Sequence, residues 1–533
     1  MQWVKQIEKR HLFLGLFIFF FLTTRLLRIH NDVVNPDAVN WHFRSEQFMN
    51  GIKYLQFEKT YQHYQPGVTL MWLVGPTVEV LKQLYPAYST YNEITFPTYH
   101  MFSKISLIFV QLGLTIFALY LLETILKDYK KAFLIIALFS FEPFFIGNSR
   151  VLHLDILLTL LLFNGLLLSY LHLKKFSWWQ GILAGIFFGL SFLTKSVGIG
   201  GVLFASGVGG LYWILRRNYG RGIKYALSLI VPAFLTTLVL LPALWVDPTY
   251  VLTQIYEGIA NTGILKGHNE IFFGEYTRNP GILFYPVILL IKTSPFMLLG
   301  LLVALIKANW RRMKQYIVNM DIAVFLSIFY IGYFVVMTIG AKKIDRYMLP
   351  MFPFLAVLVT LGLFSWREVL TKRFTQLVLA ILLGVSFIMP MFKLFPYYFT
   401  YTNPLFGAPQ FVHENIVAQK PFGVGMFEVT TALQQKYQCA GNVLAKAHKP
   451  TCVRYPPVAF LDPKPMFWLY DKGQVKYTKI DGTSSYRLLV LGVNEEIPEK
   501  VSKSSYDFKH SESIYINGLE YWKIYVRSDK EVK

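Results

Sequence analysis

Long apolar runs, most of them closed at one end by a short basic segment, recur through the first three quarters of the chain. They are His11–Ile29, Met101–Thr124, Lys131–Asn148, Ile156–Leu173, Ser177–Thr194, Ser196–Leu215, Ile223–Trp245, Gly281–Ile306, Asp321–Gly340, Tyr347–Phe364 and Phe374–Phe395. A helix needs about 18 or more largely apolar residues to cross a bilayer. The pattern therefore predicts an all-α polytopic membrane protein with about eleven transmembrane helices. The first run is preceded by Lys5, Lys9 and Arg10, but it is long and no small-residue cleavage site follows it. It reads as an uncleaved span rather than a signal peptide.

The basic ends order these spans across the membrane. Lys127, Lys130 and Lys131, then Lys174 and Lys175, Arg216 and Arg217, Lys307 with Arg311, Arg312 and Lys314, and Arg367 with Lys372 and Arg373 recur after alternate spans. With a cytoplasmic N-terminus all of them fall inside, as the positive-inside bias requires. Gly67–Leu84 is apolar too, but counting it as a span would reverse Lys127, Lys130 and Lys131. It also holds Pro76, Glu79 and Lys82, so it reads as an interfacial helix in a long first outer loop, His30–His100.

From Pro396 the character changes, which divides the chain into a transmembrane domain, 1–395, and a small extracytoplasmic α/β domain, 396–533. Met426–Tyr437 has a helical pattern. Asn442–Lys446, Val453–Leu461 and Tyr486–Val493 read as strands, and Asn517-Gly518 reads as a hairpin turn between Ser513–Ile516 and Glu520–Val526. Cys439 and Cys452 are the only cysteines; outside the membrane they form either a disulfide or two free thiols. Gly423-Val424-Gly425 reads as a loop rather than a phosphate cradle.

Composition agrees with the membrane reading. Of 533 residues, 54% are hydrophobic and 16% charged, against about 25% charged in soluble chains. A soluble enzyme, a disordered chain and a coiled coil are excluded. The net charge of +21 would point to nucleic acid in a soluble protein. Here it follows from loop topology, and no nucleic-acid partner is expected.

Charges that topology leaves unexplained are costly near a bilayer and mark functional sites. They gather at the outer ends of the spans. After the first span come Asn35-Pro36-Asp37, Trp41, Arg44 and Glu46; after the third, Arg150, His153 and Asp155. Lys195 lies in the turn between spans five and six. Trp245, Asp247 and His268 follow span seven, and Lys292 lies within span eight, either snorkelling or lining a cavity. Lys342, Lys343, Asp345, Arg346 and Tyr347 follow span nine and break the positive-inside rule, which asks for an anionic partner. Each has a simpler alternative. Asp155 is placed to cap its helix, Lys195 to cap a C-terminus, Lys342 and Lys343 to hold lipid headgroups, Asp345 and Arg346 to pair with each other, and His153 to pack at the interface. Together they describe a site for an anionic lipid with acid–base chemistry beside it.

These residues resemble those of the protein O-mannosyltransferases and related enzymes that use polyprenyl-phosphate sugars, including the lipid A aminoarabinose transferases. The resemblance spans residues 11–410. It is carried by Pro36-Asp37-Ala38 with Arg44, Gln65-Pro66-Gly67, Arg150 through His153 to Asp155, Gly189 through Lys195, Pro242 through Trp245 to Pro248, Phe284-Tyr285-Pro286, Lys292-Thr293-Ser294-Pro295, Arg346-Tyr347 and Pro396 through Leu405. Two positions depart from the family. Ala38 stands where an acid is common, and Gln65 stands where His often precedes Pro-Gly.

The resemblance implies a type C membrane glycosyltransferase fold in the plasma (inner) membrane. It implies transfer of a hexose, with mannose expected, from a polyprenyl-phosphate donor to a protein, lipid or glycan hydroxyl at the outer face, with inversion. Asp37 is the expected base and Asp155 orients sugar or a cation. Arg346 is the first choice for the donor phosphate, with Lys195 and Lys342 next. Arg44, Arg150, His153, Trp245, His268, Lys292 and Tyr347 are candidates for substrate contact. A divalent cation is the one candidate cofactor, with its ligands left open, and membrane lipids are further partners. The competing reading is a transporter or flippase of polyprenyl-linked glycans, which needs a polar path through the bilayer.

Overall fold

Each of the eleven apolar runs is helical in the computed structural model, which describes residues 2–85, 95–307, 313–366, 371–437, 458–461, 477–479, 486–502 and 506–529. Among the described residues, seven single helices are long and apolar enough to cross a membrane: Arg10–Asn31, Phe96–Leu126, Asp155–Lys174, Ser196–Leu215, Tyr219–Leu240, Ile322–Ile339 and Arg373–Lys393. Two runs are bent pairs, Tyr129–Ser140 with Pro143–Ser149 at 69°, and Phe284–Lys292 with Pro295–Ile306 at 115°. These replace the unbroken spans expected there. Pro143 and Pro295 each open the second helix, because proline tolerates a first turn but not an interior one. The remaining runs form the shorter apolar helices Trp178–Thr194 and Met351–Ser365. The chain is a multi-pass membrane protein.

The helix Asp155–Lys174 is apolar on every side, and 94% of its spanning window is buried by its neighbours; such a helix belongs in the middle of a bundle. It runs antiparallel to Trp178–Thr194, to which Lys175–Ser177 joins it directly. Gly181 and Gly185 on Trp178–Thr194 face Tyr219–Leu240, and a Cβ at Gly185 would stand 2.4 Å from the Leu229 carbonyl oxygen. Small residues at a four-residue spacing let the two backbones close up, as in membrane helix pairs generally.

The first long loop holds two helices. Pro36–Lys53 is the first of them; Val68–Leu84 takes the place expected for an interfacial helix, contains Pro76, and packs against Pro36–Lys53 and Phe96–Leu126. The loop after Tyr219–Leu240 supplies a short hairpin, β1 (Glu270–Phe272) and β2 (Glu275–Thr277). It turns through Phe273 and Gly274, both at positive φ.

Near the C-terminus, the described strands β3 (Val458–Phe460), β4 (Tyr477–Lys479), β5 (Leu488–Gly492), β6 (Tyr506–Ile516) and β7 (Leu519–Asp529) form one sheet in the order β4-β3-β5-β7-β6. β3 pairs in parallel with β4 and β5; β7 pairs antiparallel with β5 and β6. Asn517 (φ 51°) and Gly518 (φ 86°) turn β6 into β7, the geometry that an Asn-Gly pair favours. Helix Met426–Tyr437 covers the sheet through Val429 and Leu433. The same apolar cluster includes Val33, Val151, Tyr397 and Phe399, so the sheet domain docks on the ends of the helices. Cys439, Cys452 and the expected strand at Asn442–Lys446 lie outside the described residues.

Gly423 fits the docking surface tightly. Its φ is +73°, and a Cβ there would meet the Val34 carbonyl oxygen at 2.0 Å. Gly423→Ala is expected to destabilise the protein by about 1–3 kcal/mol, read as a lower melting temperature in detergent.

Candidate functional site

Topology alone brings the first acid and base together. Asp155 starts one helix and Lys195 ends the next, so an antiparallel pair places both at the same end. There each charge also suits the nearby helix terminus, the acid an N-terminus and the cation a C-terminus. Lys195 Nζ lies 2.7 Å from Asp155 Oδ1, and both side chains are buried. Asp155 thus pairs with a cation rather than capping its helix: Leu154 holds the N-cap position and Asp155 is the first helical residue.

Two more elements complete the cluster. Asp37 sits in the first turn of Pro36–Lys53, and Arg346 in the turn Asp345–Met348 that precedes Met351–Ser365. Arg346 Nη2 donates to Asp37 Oδ2 at 3.0 Å, and Arg346 Nε lies 3.1 Å from Asp155 Oδ2. His153 stands between the acids, with Nε2 3.2 Å from Asp37 Oδ2 and Nδ1 2.7 Å from Asp155 Oδ2. Asp345 accepts from the Arg346 backbone N–H; the arginine side chain goes to the distant acids instead. Asp37 keeps 39% of its side chain exposed while Arg346 keeps 11%, so Asp37 is the reachable member. Burial opposes ionisation of Asp37, but the His153 hydrogen bond and the Arg346 charge override it and hold the carboxyl well below the usual carboxylate range.

A cavity lies on each side of this cluster. One is a groove of about 530 Å³. Lys195, Ser196, Lys342 and Tyr347 form its polar part, and Phe204, Ile328, Phe329 and Val336, from the spans Ser196–Leu215 and Ile322–Ile339, its apolar part. Lys195 Nζ stands 3.6 Å from the Tyr347 ring centroid, and Lys342 Nζ donates to Tyr64 Oη at 3.3 Å. The other is a pocket of about 280 Å³ lined by Asp37, Arg346, His268, Lys420, Phe422 and Glu495 among others. It opens between the helix ends and the sheet domain.

The other sequence candidates divide. Arg44 packs its guanidinium 4.7 Å from the Trp41 ring centroid and interacts electrostatically with Asp37 and Tyr64. His268 lines the polar pocket, its Nδ1 3.0 Å from both Glu270 Oε1 and Lys420 Nζ. Three make no contact with Asp37 or Asp155. Arg150 is buried against Asp32 at 2.7 Å and the Thr24 and Leu27 carbonyls, with Lys104 on the same acid at 3.2 Å. Lys292, at the break of its bent span, is buried and donates to the Tyr401 carbonyl at 2.9 Å; it makes no contact with the two acids but lines a small cavity with Asp345, Arg346 and Phe422. Trp245 is largely exposed and donates to the Leu238 carbonyl.

Gln65, one of the two departures, accepts from the Ser196 backbone N–H and hydroxyl at 3.2 and 3.1 Å. It thereby ties the first loop to the Lys195 turn. Glu270, Lys420 and Phe422 carry no signal in the sequence, and Tyr64 lies just ahead of Gln65-Pro66-Gly67. Lys420 and Phe422 lie in an ordinary-looking loop, and nothing local marks them. Where a divalent cation would have to sit, between Asp37 and Asp155, Arg346 and His153 already reach the facing oxygens. Among the described residues no group of three or more His, Cys, Asp or Glu side chains is placed to hold a metal ion.

No protein-family model matches the chain, and no curated protein matches it in sequence. Solved structures do. The crystal structure of ArnT from Cupriavidus metallidurans in the apo state aligns over 98% of this chain and 98% of that one, at 13% identity and a TM-score of 0.50. ArnT bound to undecaprenyl phosphate aligns over 96% and 97%, at 13% identity and 0.49. The apo oligosaccharyltransferase of Archaeoglobus fulgidus aligns over 90% of this chain and 69% of that one, at 13% and 0.49. The apo ArnT likeness shows that this chain has the type C glycosyltransferase fold.

Proposed function

We propose that the protein is a membrane glycosyltransferase that moves a hexose, mannose on our reading, from a polyprenyl-phosphate carrier to an acceptor hydroxyl at the extracytoplasmic face. The observation that carries this is the Asp37–Arg346 pair, which lines the polar pocket while its neighbours Lys195, Lys342 and Tyr347 line the amphipathic groove. A polyprenyl chain suits the apolar part of the groove, and its phosphate suits the cationic part. A hydroxyl acceptor suits the pocket onto which the exposed edge of Asp37 opens.

In a single displacement the acceptor oxygen attacks the anomeric carbon as the bond to the phosphate oxygen breaks. The acceptor proton passes to Asp37, and the leaving lipid phosphate keeps the electron pair, so the configuration inverts. Arg346 meets the charge that develops on the phosphate, with Lys195 and Lys342 beside it. Without donor, Arg346 is shared by two carboxylates and Asp37 is a weak base. Once a phosphate draws the guanidinium, Asp37 recovers proton affinity at the moment it is needed.

The test is transfer by purified protein from a panel of polyprenyl-phosphate sugars, with product detected by mass. Transfer supports the reading; movement of intact lipid-linked sugar across a vesicle without transfer would favour a flippase. Because Arg346 and His153 fill the space between the acids, EDTA is expected to leave the rate unchanged.

Orientation has its own test. Lys500 is exposed on the sheet domain. With Cys439 and Cys452 replaced by serine, Lys500→Cys is expected to react with an impermeant maleimide added from outside intact cells. Labelling only after lysis would overturn the extracytoplasmic assignment.

A further inference from the structure

We propose that Phe422, from the loop leading into the sheet domain, is a positioning residue for Arg346, and that the domain is through it a working part of the site. This rests on the reading above that Arg346 holds the donor phosphate.

The Arg346 Cζ stands 4.9 Å from the centroid of the Phe422 ring. Asp37 accepts a hydrogen bond from the guanidinium at Nη2, and Asp155 lies 3.1 Å from Nε as an ion-pair contact without hydrogen-bond alignment. One aligned hydrogen bond and one non-directional ion pair leave a planar cation free to tilt. With the cation seated over it, the Phe422 ring restricts that motion and adds quadrupole attraction, which grows where water is excluded. Phe422 also lines the polar pocket, so one side chain touches both the phosphate-binding cation and the acceptor's space.

The backbone holds the ring there at a cost. Phe422 has φ +45°, a region that bulky residues rarely occupy. Such strain persists only where the surroundings over-determine it, and here they do. Gly423, at φ +73°, has no room for a Cβ against the Val34 carbonyl oxygen. The ring also stacks on Phe399, with centroids 4.8 Å apart and planes 13° from parallel. Val34 precedes Asp37 in the first loop, and Phe399 lies in the segment after the last span. The loop is therefore clamped between the two parts of the chain that border the site.

Two variants of the full-length protein in detergent separate the ring's face from its bulk. Phe422→Leu keeps apolar volume and removes the π face; Phe422→Tyr keeps both. Phe422→Leu is expected to raise donor KM about tenfold, with a smaller change in kcat, and Phe422→Tyr to stay within about twofold of the parent. A second readout needs no sugar. Phenylglyoxal modification of Arg346, followed by peptide mass spectrometry, is expected to run several-fold faster in Phe422→Leu and at the parent rate in Phe422→Tyr. Parent-like KM and labelling in Phe422→Leu would overturn the proposal. So would loss of donor affinity in Phe422→Tyr equal to that in Phe422→Leu. If the parent protein transfers from no donor, it is the functional reading that fails. The labelling rates then decide the Phe422–Arg346 contact alone, and equal rates overturn it. Should Phe422→Leu melt well below the parent, Phe422→Met, unbranched and close in volume, carries the same comparison.

Discussion

Arg346→Ala is expected to lower kcat/KM for transfer by about 10²–10³-fold, the loss seen when one preorganised donor to a developing negative charge is removed. Arg346→Lys is expected to restore part of it. An ammonium keeps the Coulomb attraction but cannot reach Asp37 and Asp155 from two nitrogens, as the guanidinium does at 3.0 and 3.1 Å, nor bind a phosphate at two points. The alanine variant also carries a signature in pH. The Asp37 carboxyl is held low, so any stability it contributes is present above its unfolded pKa and is lost only as pH falls through the folded value. For the parent, the rate is expected to hold between about pH 5 and 7 as far as Asp37 is concerned. Without Arg346 the burial of Asp37 is less opposed and its pKa rises, so the remaining activity is expected to fall off at higher pH than in the parent. Initial rates on folded variants across that range are the measurement. Near-normal turnover and donor affinity in Arg346→Ala would pass the phosphate role to Lys195 or Lys342.

Asp37→Asn is expected to reduce turnover by about 10²-fold or more, with donor binding little changed. The amide keeps the size of the side chain and an oxygen toward Arg346, but it does not take up the acceptor proton. Folding is expected to survive, because Asp37 is exposed on one edge and Arg346 retains Asp155. Asp155→Asn differs for a structural reason. Its carboxylate is enclosed by Lys195, His153 and Arg346, and removing one partner from a buried ionic group costs about 3–5 kcal/mol. It is expected to lose more stability and less turnover than Asp37→Asn. The check is kcat and melting temperature measured on the same preparations. A folded Asp37→Asn protein with ordinary turnover would make Asp155 the leading base.

The spans were legible because a bilayer imposes its constraint locally. Thickness sets the length of each apolar run, and the cost of exposed backbone makes each run a helix. The breaks at Pro143 and Pro295 are equally local in cause, although their angles of 69° and 115° depend on what the half-helices pack against. Asp37, Asp155, Lys195 and Arg346 could be singled out because a charge beside a membrane has to be explained, and neither topology nor amphipathicity explained these four. The hairpin at Asn517-Gly518 was readable for the same kind of reason, since two positive φ angles in a row call for those residues.

Which of the charges meet was decided only by the tertiary structure. Arg150, His153 and Asp155 stand within six residues of one another and looked like one motif. The chain turns between them, so Arg150 is drawn into a buried pair with Asp32 while His153 and Asp155 face Asp37 and Arg346. Arg346 finds Asp37 across 309 positions of sequence. Phe422 becomes part of the site only because the sheet domain docks where Val34 and Phe399 leave room for it. Propensity and hydrophobic period act over a few residues, and through them the sequence by itself determined the spans, the turns and the list of candidate charges. An ion pair or a cation–ring contact depends on distances between segments far apart in the chain, and those exist only once the helices have packed.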